Sequence, residues 1–156
     1  MSLVVGFLRS TADWYRPFLN DEDMAEHEVD LKWATKNYTR REFFIAELPD
    51  GTPVGTVSLQ YFGEWLYVGY AYLDADYVGR ELGAQLMGHA LAEAQRRELK
   101  GLALIAHPKA TWATRSYLKF GYRLAAEDKS DVLAWNDGVL TNYYEEGFQL
   151  YLYPIQ

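Results

Sequence analysis

The hydrophobic pattern is strongest in the middle of the chain. An apolar and aromatic run from Leu66 to Leu73 predicts a buried strand. An acidic corner at residues 74–77 and a glycine-containing segment at residues 78–84 then lead into a helix. That helix is predicted by apolar side chains that recur at a spacing of four, namely Leu82, Leu86, Ala90 and Ala94. We therefore expect the centre of the fold to be a strand that turns through glycines into a helix.

The segments on either side of this centre also follow periodic patterns. Before it, these patterns predict a strand at residues 3–8, helices within residues 10–18 and 20–37, and antiparallel strands at residues 41–48 and 54–61. After it, they predict a strand at residues 102–106, a helix at residues 110–120 that ends at Gly121, a strand from Tyr122, an irregular segment at residues 127–147 and a final strand at residues 148–155. The strand, helix and strand between residues 66 and 106 indicate a right-handed parallel crossover.

The junction between the central strand and its helix has a specific physical use. The first backbone N–H groups of a helix have no partner within the helix, and the helix dipole is positive there. A glycine-rich corner at a helix start can therefore hold a phosphate or pyrophosphate group. The alternative is a tight turn that binds no ligand, because short glycine motifs are common.

The composition limits the classes of protein to consider. The chain has 156 residues, 49% of them apolar and 24% charged, which is typical of one soluble globular domain, residues 1–156. It has no cysteine, which excludes disulfides, thiolate metal sites and a cysteine nucleophile. Its three histidines lack metal-ligand spacing, so we expect no metal site. We expect a cytoplasmic protein, because the sequence shows neither a membrane-spanning run nor a signal peptide.

The net charge of −7 narrows the range of partners. A nucleic-acid-binding protein needs a basic surface that neutralises phosphates, so we do not expect nucleic acid as a partner. An acidic protein is compatible with a cationic small molecule, although an acidic balance also serves solubility alone.

Two windows of the chain carry a recognisable family pattern. The first lies at the glycine corner and reads Val78-Gly79-Arg80-Glu81-Leu82-Gly83. The second lies on the helix predicted at residues 110–120 and consists of Ala110, Ala113, Tyr117, Gly121 and Tyr122. With these windows in this order and on these elements, the chain resembles the GNAT superfamily of acetyl-CoA-dependent N-acetyltransferases. The resemblance covers nearly the whole chain and is clearest from residue 66 to residue 122.

Three positions depart from the family pattern. Val78 stands where the family has Gln or Arg, Glu81 where it has Gly, and Ala110 where it has Asn. Glycine at position 81 lets the backbone approach the pyrophosphate, whereas an inward carboxylate adds repulsion. Arg80 supplies a cation that could offset this repulsion. The departures leave a second interpretation open, namely a degenerate domain that binds acyl-CoA or no ligand and acts through protein contacts.

The resemblance implies a fold, a reaction and a set of binding residues. The fold is α/β: a mixed, mostly antiparallel sheet of six to seven strands, flanked by about four helices, with a splayed pair of parallel central strands. The reaction is transfer of acetyl from acetyl-CoA, the co-substrate, to a primary amine of a small molecule or peptide by direct attack in a ternary complex; transfer of a longer acyl group is a second option. The implied cofactor-binding residues are Tyr72, Leu73, Val78, Gly79, Arg80, Glu81, Leu82, Gly83, Ala84, Ala110, Ala113 and Tyr117.

The resemblance also suggests catalytic groups. Tyr117 matches the tyrosine that protonates the leaving thiolate in the family; its alternative is a core aromatic. Some members carry a glutamate base on the central strand, at the position that Tyr67 occupies here. His107 follows a strand end and has a suitable side-chain pKa, although a loop histidine satisfied by the backbone is an equal alternative. Glu64 and Asp74 are further candidates, and a water chain would require no single base.

The aromatic segment at residues 132–147 is longer than a simple hairpin needs. It contains Trp135, Tyr143 and the acidic pair Glu145 and Glu146. We expect it to cover the acceptor pocket and to favour a cationic or amine substrate. The alternative is a homodimer contact, since exposed aromatics also mark interfaces.

Overall fold

The computed structural model describes residues 40–77 and 82–155. Within these ranges there are six strands: β1 (Glu42–Glu47), β2 (Pro53–Phe62), β3 (Trp65–Leu73), β4 (Gly101–Ala106), β5 (Arg123–Ala126) and β6 (Gln149–Pro154). The same ranges hold three α-helices: α1 (Leu82–Arg96), α2 (Thr111–Phe120) and α3 (Lys129–Ala134). Short 3-10 helices lie at Ala75–Tyr77 and Trp135–Gly138. The strand predicted at residues 3–8 and the helices predicted within residues 10–37 lie outside the described residues.

The six strands form one mixed sheet in the order β1-β2-β3-β4-β6-β5. β3 and β4 are parallel neighbours, whereas β1 with β2, β4 with β6, and β5 with β6 pair antiparallel. A two-residue turn at residues 63–64 joins β2 to β3, which requires those strands to be antiparallel as well. The α/β fold class expected from the sequence is therefore confirmed.

The described residues divide into two compact units. The first lies within residues 40–60 and 68–90, and the second comprises residues 61–67 and 91–155. The assignment of residues 1–156 to a single domain stays a prediction.

In the first unit, β2 is buried along most of its length. Val54 and Val57 are fully buried, and so are the polar residues Thr56 and Ser58. Both hydroxyls are satisfied, because Thr56 Oγ1 donates to the carbonyl of Phe44 at 2.9 Å and Ser58 Oγ donates to the carbonyl of Gly69 at 2.6 Å. Because side chains on both faces of β2 are buried, the sheet is covered on both faces at this strand.

Helix α1 buries the stripe that the sequence predicts. Leu86 and Ala90 are buried in the first unit, Ala94 is buried in the second, and Leu82 is partly buried. The spacing of four places these residues on one face of the helix, which explains why they are the ones withdrawn from solvent.

The second unit has its core on one face of β4 and β6. Its buried members are Phe62, Tyr67, Ala103, Val132, Leu140, Leu150 and Leu152. Two of them, Val132 and Leu140, come from the segment that the sequence predicts to be irregular, where the structure instead has α3 and a 3-10 helix. With only six residues, α3 is too short to show a helical period in the sequence, so its position depends on packing of Val132.

None of the described helices is both long enough and apolar enough to cross a membrane. Within the same residues, no group of three or more His, Asp or Glu side chains is placed to hold a metal ion.

Candidate active site

Tyr117 lies in the second half of α2, and the end of that helix fixes its backbone. The helix ends at Gly121, whose φ of 127° is in a region that glycine adopts without strain. The N–H groups of Gly121 and Tyr122 both donate to the carbonyl of Tyr117, at 3.2 and 3.0 Å. The helix terminus predicted at Gly121 is thus confirmed, and it holds Tyr117 in a defined position over the sheet.

The Tyr117 ring packs among other aromatic rings of the second unit. Its ring centroid is 5.9 Å from that of Tyr122 and 6.3 Å from that of Tyr151. The side chain is partly exposed, and its ring packs against these neighbours. This burial, with a smaller contribution from Tyr151, raises the pKa of Tyr117 to about 12. Tyr117 is therefore protonated at neutral pH and available as a hydrogen-bond donor.

The start of α2 is built around Ala110. Its carbonyl accepts from the N–H groups of Ala113 and Thr114, both at 3.0 Å, and its own N–H donates to the carbonyl of His107 at 3.0 Å. Ala110 is 1% exposed, so its methyl group is enclosed by protein. Ala113 lies one helical turn before Tyr117, which places both on the same side of α2.

Both ring nitrogens of His107 lie close to backbone atoms of the protein. Nδ1 accepts a hydrogen bond from the backbone N–H of Lys109 at 3.1 Å. Nε2 faces the backbone at Gly147, where an added Cβ atom would lie 3.0 Å away, and the ring packs edge-on against Phe148 at 5.6 Å. Burial first, and the charge of Lys109 second, lower the pKa of His107. A neutral imidazole whose Nδ1 accepts must carry its proton on Nε2, which leaves it poorly placed to abstract a proton.

The parallel ladder between β3 and β4 is short. Its register comprises three pairs within the described residues: Trp65 with Gly101, Leu66 with Leu102, and Tyr67 with Ala103. β4 continues to Ala106, and β6 partners it along its whole length on the other edge. The β4 residues after Ala103 therefore have a sheet partner on one edge only among the described residues. Such an edge can pair with an extended ligand.

In the first unit, the end of β3 lies against β2. A Cβ atom at Gly55 would come within 2.7 Å of a Leu73 side-chain carbon and 2.8 Å of the Tyr72 carbonyl oxygen. Gly55 thus permits a close approach of the two strands at the position where Tyr72 and Leu73 end β3. The chain then turns, and Asp74 Oδ1 accepts from the N–H of Asp76 at 3.0 Å. The Asp74 carboxylate therefore stabilises the turn that follows β3.

A family model decides the class of this protein. The model of the acetyltransferase (GNAT) family matches residues 8–122, well over half of the chain. The chain belongs to the GNAT acetyltransferase family. It is an N-acetyltransferase, and acetyl-CoA is the acyl donor of this class. No curated protein matches the chain in sequence.

Solved structures of acetyltransferases have the same fold. The PaiA N-acetyltransferase of Thermoplasma acidophilum, in complex with coenzyme A, matches with a TM-score of 0.72 and 13% identity over 99% of this chain and 92% of that one. Nourseothricin acetyltransferase matches with a TM-score of 0.58 and 24% identity over 74% of this chain and 66% of that one. The ribosomal-protein-S18-alanine N-acetyltransferase of Escherichia coli matches with a TM-score of 0.59 and 19% identity over 80% of this chain and 76% of that one.

The structure describes some of the GNAT motif residues and not others. In the second unit, Ala113 and Tyr117 lie on α2, Ala110 is the residue just before that helix, and His107 lies in the loop that leads into it. In the first unit, Leu82, Gly83 and Ala84 open α1, with Leu82 and Gly83 partly buried and Ala84 exposed. The rest of the glycine corner, Val78, Gly79, Arg80 and Glu81, lies outside the described residues.

Two of the candidate bases of this GNAT protein have other roles in the structure. Tyr67 is 5% exposed and lies in the core of the second unit, with ring centroids 5.1 Å from Phe62 and 5.7 Å from Tyr143. Glu64 is an exposed turn residue whose carboxylate pairs with Lys100 Nζ at 2.5 Å. Neither side chain is placed to accept a proton from a substrate amine.

The aromatic segment at residues 132–147 is part of the packing of the second unit. Trp135 meets Trp65 edge to face at 5.6 Å, and Asn136 Nδ2 donates to the carbonyl of Phe62 at 3.2 Å. Tyr143 packs on Phe62 with ring centroids 5.4 Å apart. Trp135 and Tyr143 thus support the fold of this GNAT protein, so any contribution to acceptor binding has to be separated from stability.

Sequence reasoning missed one residue near Tyr117, namely Tyr151 on β6. Alternation along β6 shows that Tyr151 and Tyr153 share a face. It does not show that this face lies below Tyr117, because that depends on how β6 pairs with β4.

Proposed function

We propose that this GNAT enzyme transfers an acetyl group from acetyl-CoA to a primary amine of a small molecule or a peptide, by direct attack of the amine in a ternary complex. The observation that carries the proposal is the state of Tyr117. It occupies the motif position on α2, its raised pKa keeps the phenol protonated, and no hydrogen bond of the described residues involves its hydroxyl. Its side chain is partly exposed, so this donor is open to a ligand.

The binding roles follow the family motif. The backbone N–H groups of residues 78–84 would hold the pyrophosphate at the start of α1, where the helix dipole favours negative charge. The backbone of Tyr72 and Leu73 at the end of β3 would bind the extended pantetheine arm. Ala113, which is partly exposed, would line the approach to Tyr117, where its small side chain leaves room for the thioester. Ala110 is enclosed by protein and would act by shaping the start of α2.

Tyr117 would donate a hydrogen bond to the sulfur as the thiolate leaves. Its pKa of about 12 lies above the value of roughly 8.5 that is ordinary for an alkyl thiol, so complete proton transfer costs roughly 5 kcal/mol. Donation of a hydrogen bond to the developing charge avoids that cost and still stabilises the transition state. Tyr117 therefore acts first as a donor, and its proton follows where the bound thiolate is basic enough.

Deprotonation of the amine is assigned to water rather than to one side chain. Tyr67 is in the core, Glu64 pairs with Lys100, and Asp74 accepts within its turn. His107 uses Nδ1 for the backbone and serves to position the segment that leads into α2. An alkylamine with an ordinary pKa is partly neutral at moderately alkaline pH, so solvent removes the proton before attack.

We propose only the chemical class of the acceptor, namely a primary amine of a small molecule or a peptide. The names of the structural neighbours include an enzyme that acetylates nourseothricin and one that acetylates the alanine of ribosomal protein S18. These names cover a small-molecule amine and a peptide amine, and the net charge of −7 suits either in its cationic form.

A calorimetric titration with acetyl-CoA tests the proposal. We expect saturable binding by the wild-type protein, followed by turnover with members of a panel of small amines and short peptides. Glu81→Gly should bind more tightly, because it removes a carboxylate from the pyrophosphate corner. Glu98→Gly is the matched control: it removes an exposed carboxylate at a position of positive φ beyond α1 and should leave binding unchanged.

The second candidate function is a degenerate acyl-CoA-binding or non-catalytic regulatory domain. The departures at Val78, Glu81 and Ala110 favour it. If the wild-type protein does not bind acetyl-CoA but Glu81→Gly does, this result would support the non-catalytic function over the enzymatic one. Transfer to any amine in the panel would exclude it.

A further inference from the structure

Two tyrosine side chains, Tyr117 on α2 and Tyr151 on β6, lie side by side. The Tyr117 and Tyr151 rings have centroids 6.3 Å apart with planes inclined at 56°. Tyr151 is 4% exposed and lies at the middle of β6, opposite Leu104 of β4 and Leu124 of β5. Both tyrosines belong to the second unit, so their arrangement is a property of that unit alone.

Within the described residues, no hydrogen bond of the structure involves the hydroxyl of Tyr117 or of Tyr151. Neither hydroxyl is among the fully enclosed polar atoms that lack a partner in the described residues, so both are open to solvent or to a ligand. Two neighbouring phenol donors that are not used by the protein can donate to one ligand atom.

We propose that Tyr117 and Tyr151 form a two-phenol site whose hydroxyls both donate to the thioester group, so that Tyr151 is a second catalytic residue of the acetyl transfer. The proposal rests on the function proposed above. The acceptor atom is the sulfur, which gains negative charge as the C–S bond breaks and the new C–N bond forms. The pair of donors would stabilise that charge as preorganised dipoles do elsewhere.

The electrostatic surroundings keep both groups protonated. Burial is the main cause of the raised pKa at Tyr151, and the carboxylate of Glu127, which follows β5, adds to it. Tyr151 in turn helps to raise the pKa of Tyr117. The other titratable group that faces Tyr117 is Tyr122, directly after α2, whose own pKa burial raises well above its ordinary value. All three phenols therefore remain neutral donors across the pH range in which an amine can be acetylated.

The test compares Tyr151→Phe with Tyr153→Phe. Each variant removes one hydroxyl from β6, on the same face and in the same aromatic cluster, but Tyr153 packs on Phe120 and Tyr122 rather than on Tyr117. We expect Tyr151→Phe to lower kcat roughly 10- to 100-fold with an unchanged KM for acetyl-CoA, and Tyr153→Phe to stay within about twofold of wild type. Equal kcat values for the two variants would overturn the proposal.

A binding measurement separates this proposal from the function on which it rests. The wild type should bind CoA more tightly than desulfo-CoA, and Tyr151→Phe should lose most of that preference. If Tyr151→Phe keeps the preference, Tyr151 does not contact the sulfur and the proposal fails while the enzyme function stands. If the wild type binds neither compound, the proposed function itself fails.

A third measurement needs no variant at residue 151 in case that variant does not fold. Carbon-13 labelling at the tyrosine ζ position allows each phenol to be followed by NMR. CoA, but not desulfo-CoA, should shift two tyrosine resonances, one of which disappears in Tyr117→Phe. A single shifted resonance would contradict a second donor.

Discussion

The imidazole of His107 accepts a hydrogen bond at Nδ1 from the backbone N–H of Lys109, across 3.1 Å. The bond defines the neutral tautomer and ties the histidine to the backbone two residues further along the loop that follows β4. It makes His107 a structural element of the loop before α2, and this has a consequence for stability at acidic pH.

Stability should fall as His107 becomes protonated. Burial lowers its pKa in the folded protein below the ordinary value of 6.5, so the unfolded chain binds the proton more readily. The contribution of His107 is therefore complete above about pH 6.5 and decreases as the pH falls below it. His107→Asn keeps an acceptor and does not titrate. Thermal melts from pH 8 to pH 5 should show a smaller decline for the variant than for wild type, and parallel declines would contradict the assignment.

Gly147 should be less tolerant of a side chain than Gly51. Both have a strongly positive φ, 85° and 88°, so alanine costs each about 1–2 kcal/mol of backbone strain. A Cβ atom at Gly51 meets nothing within 4 Å, whereas one at Gly147 lies 3.0 Å from His107 Nε2. In urea unfolding, the loss of unfolding free energy in Gly51→Ala measures the backbone strain alone. We expect a larger loss of unfolding free energy in Gly147→Ala. A loss at Gly147 no larger than at Gly51 would mean that the histidine moves aside freely.

Tyr117→Phe should slow acetyl transfer without weakening acetyl-CoA binding. The variant keeps the ring that packs on Tyr122 and Tyr151 and removes only the hydroxyl, so its melting temperature should stay close to wild type. Loss of the donor to the leaving sulfur should lower kcat about 100-fold, the lower end of the range for acid–base groups. Steady-state kinetics at saturating amine would show this, whereas a change in KM alone would indicate a binding role.

Tyr67 should act through packing. Tyr67→Phe keeps the contacts with Phe62 and Tyr143 and should retain turnover, whereas Tyr67→Ala should cost about 3–5 kcal/mol because it leaves a cavity in the core. Chemical denaturation measures the unfolding free energy of each variant, and steady-state kinetics measures its kcat. A large loss of kcat in a stable Tyr67→Phe protein would restore Tyr67 as a catalytic candidate.

Trp65 and Trp135 should be energetically coupled. Their edge-to-face contact at 5.6 Å should give a coupling of about 0.5–1.5 kcal/mol in a double-mutant cycle of unfolding free energies. The result separates a packing role of the aromatic segment from a role at an acceptor pocket or a dimer contact. A coupling near zero, with loss of turnover or of association in Trp135→Ala, would favour one of those alternatives.

The sequence predicts the elements whose patterns are local. The run from Leu66 to Leu73 and the stripe from Leu82 to Ala94 each repeat often enough to define a period, and Gly121 ends its helix by a preference of the backbone itself. Motif spacing likewise placed Tyr117 on a helix, because one element carries the whole motif. These features need no knowledge of which strands are neighbours.

The features that sequence reasoning missed depend on distant pairing. A tyrosine on an alternating strand looks the same whether it enters a core, as Tyr67 does, or lies beneath a helix, as Tyr151 does. Glu64 became an ion-pair partner only because Lys100 precedes the strand that pairs beside β3. The six residues of α3 hold too little periodicity to be distinguished from a loop.

The position of β6 constrains the order in which the second unit can assemble. It is later in the chain than every other described strand, yet it lies between β4 and β5 and partners both. During synthesis on a ribosome, β4 and β5 emerge with their shared neighbour still missing, and each exposes an unpaired edge that can associate wrongly. The sheet of this unit can close only after residue 154 has left the exit tunnel, so nascent chains halted before that point should depend on chaperones.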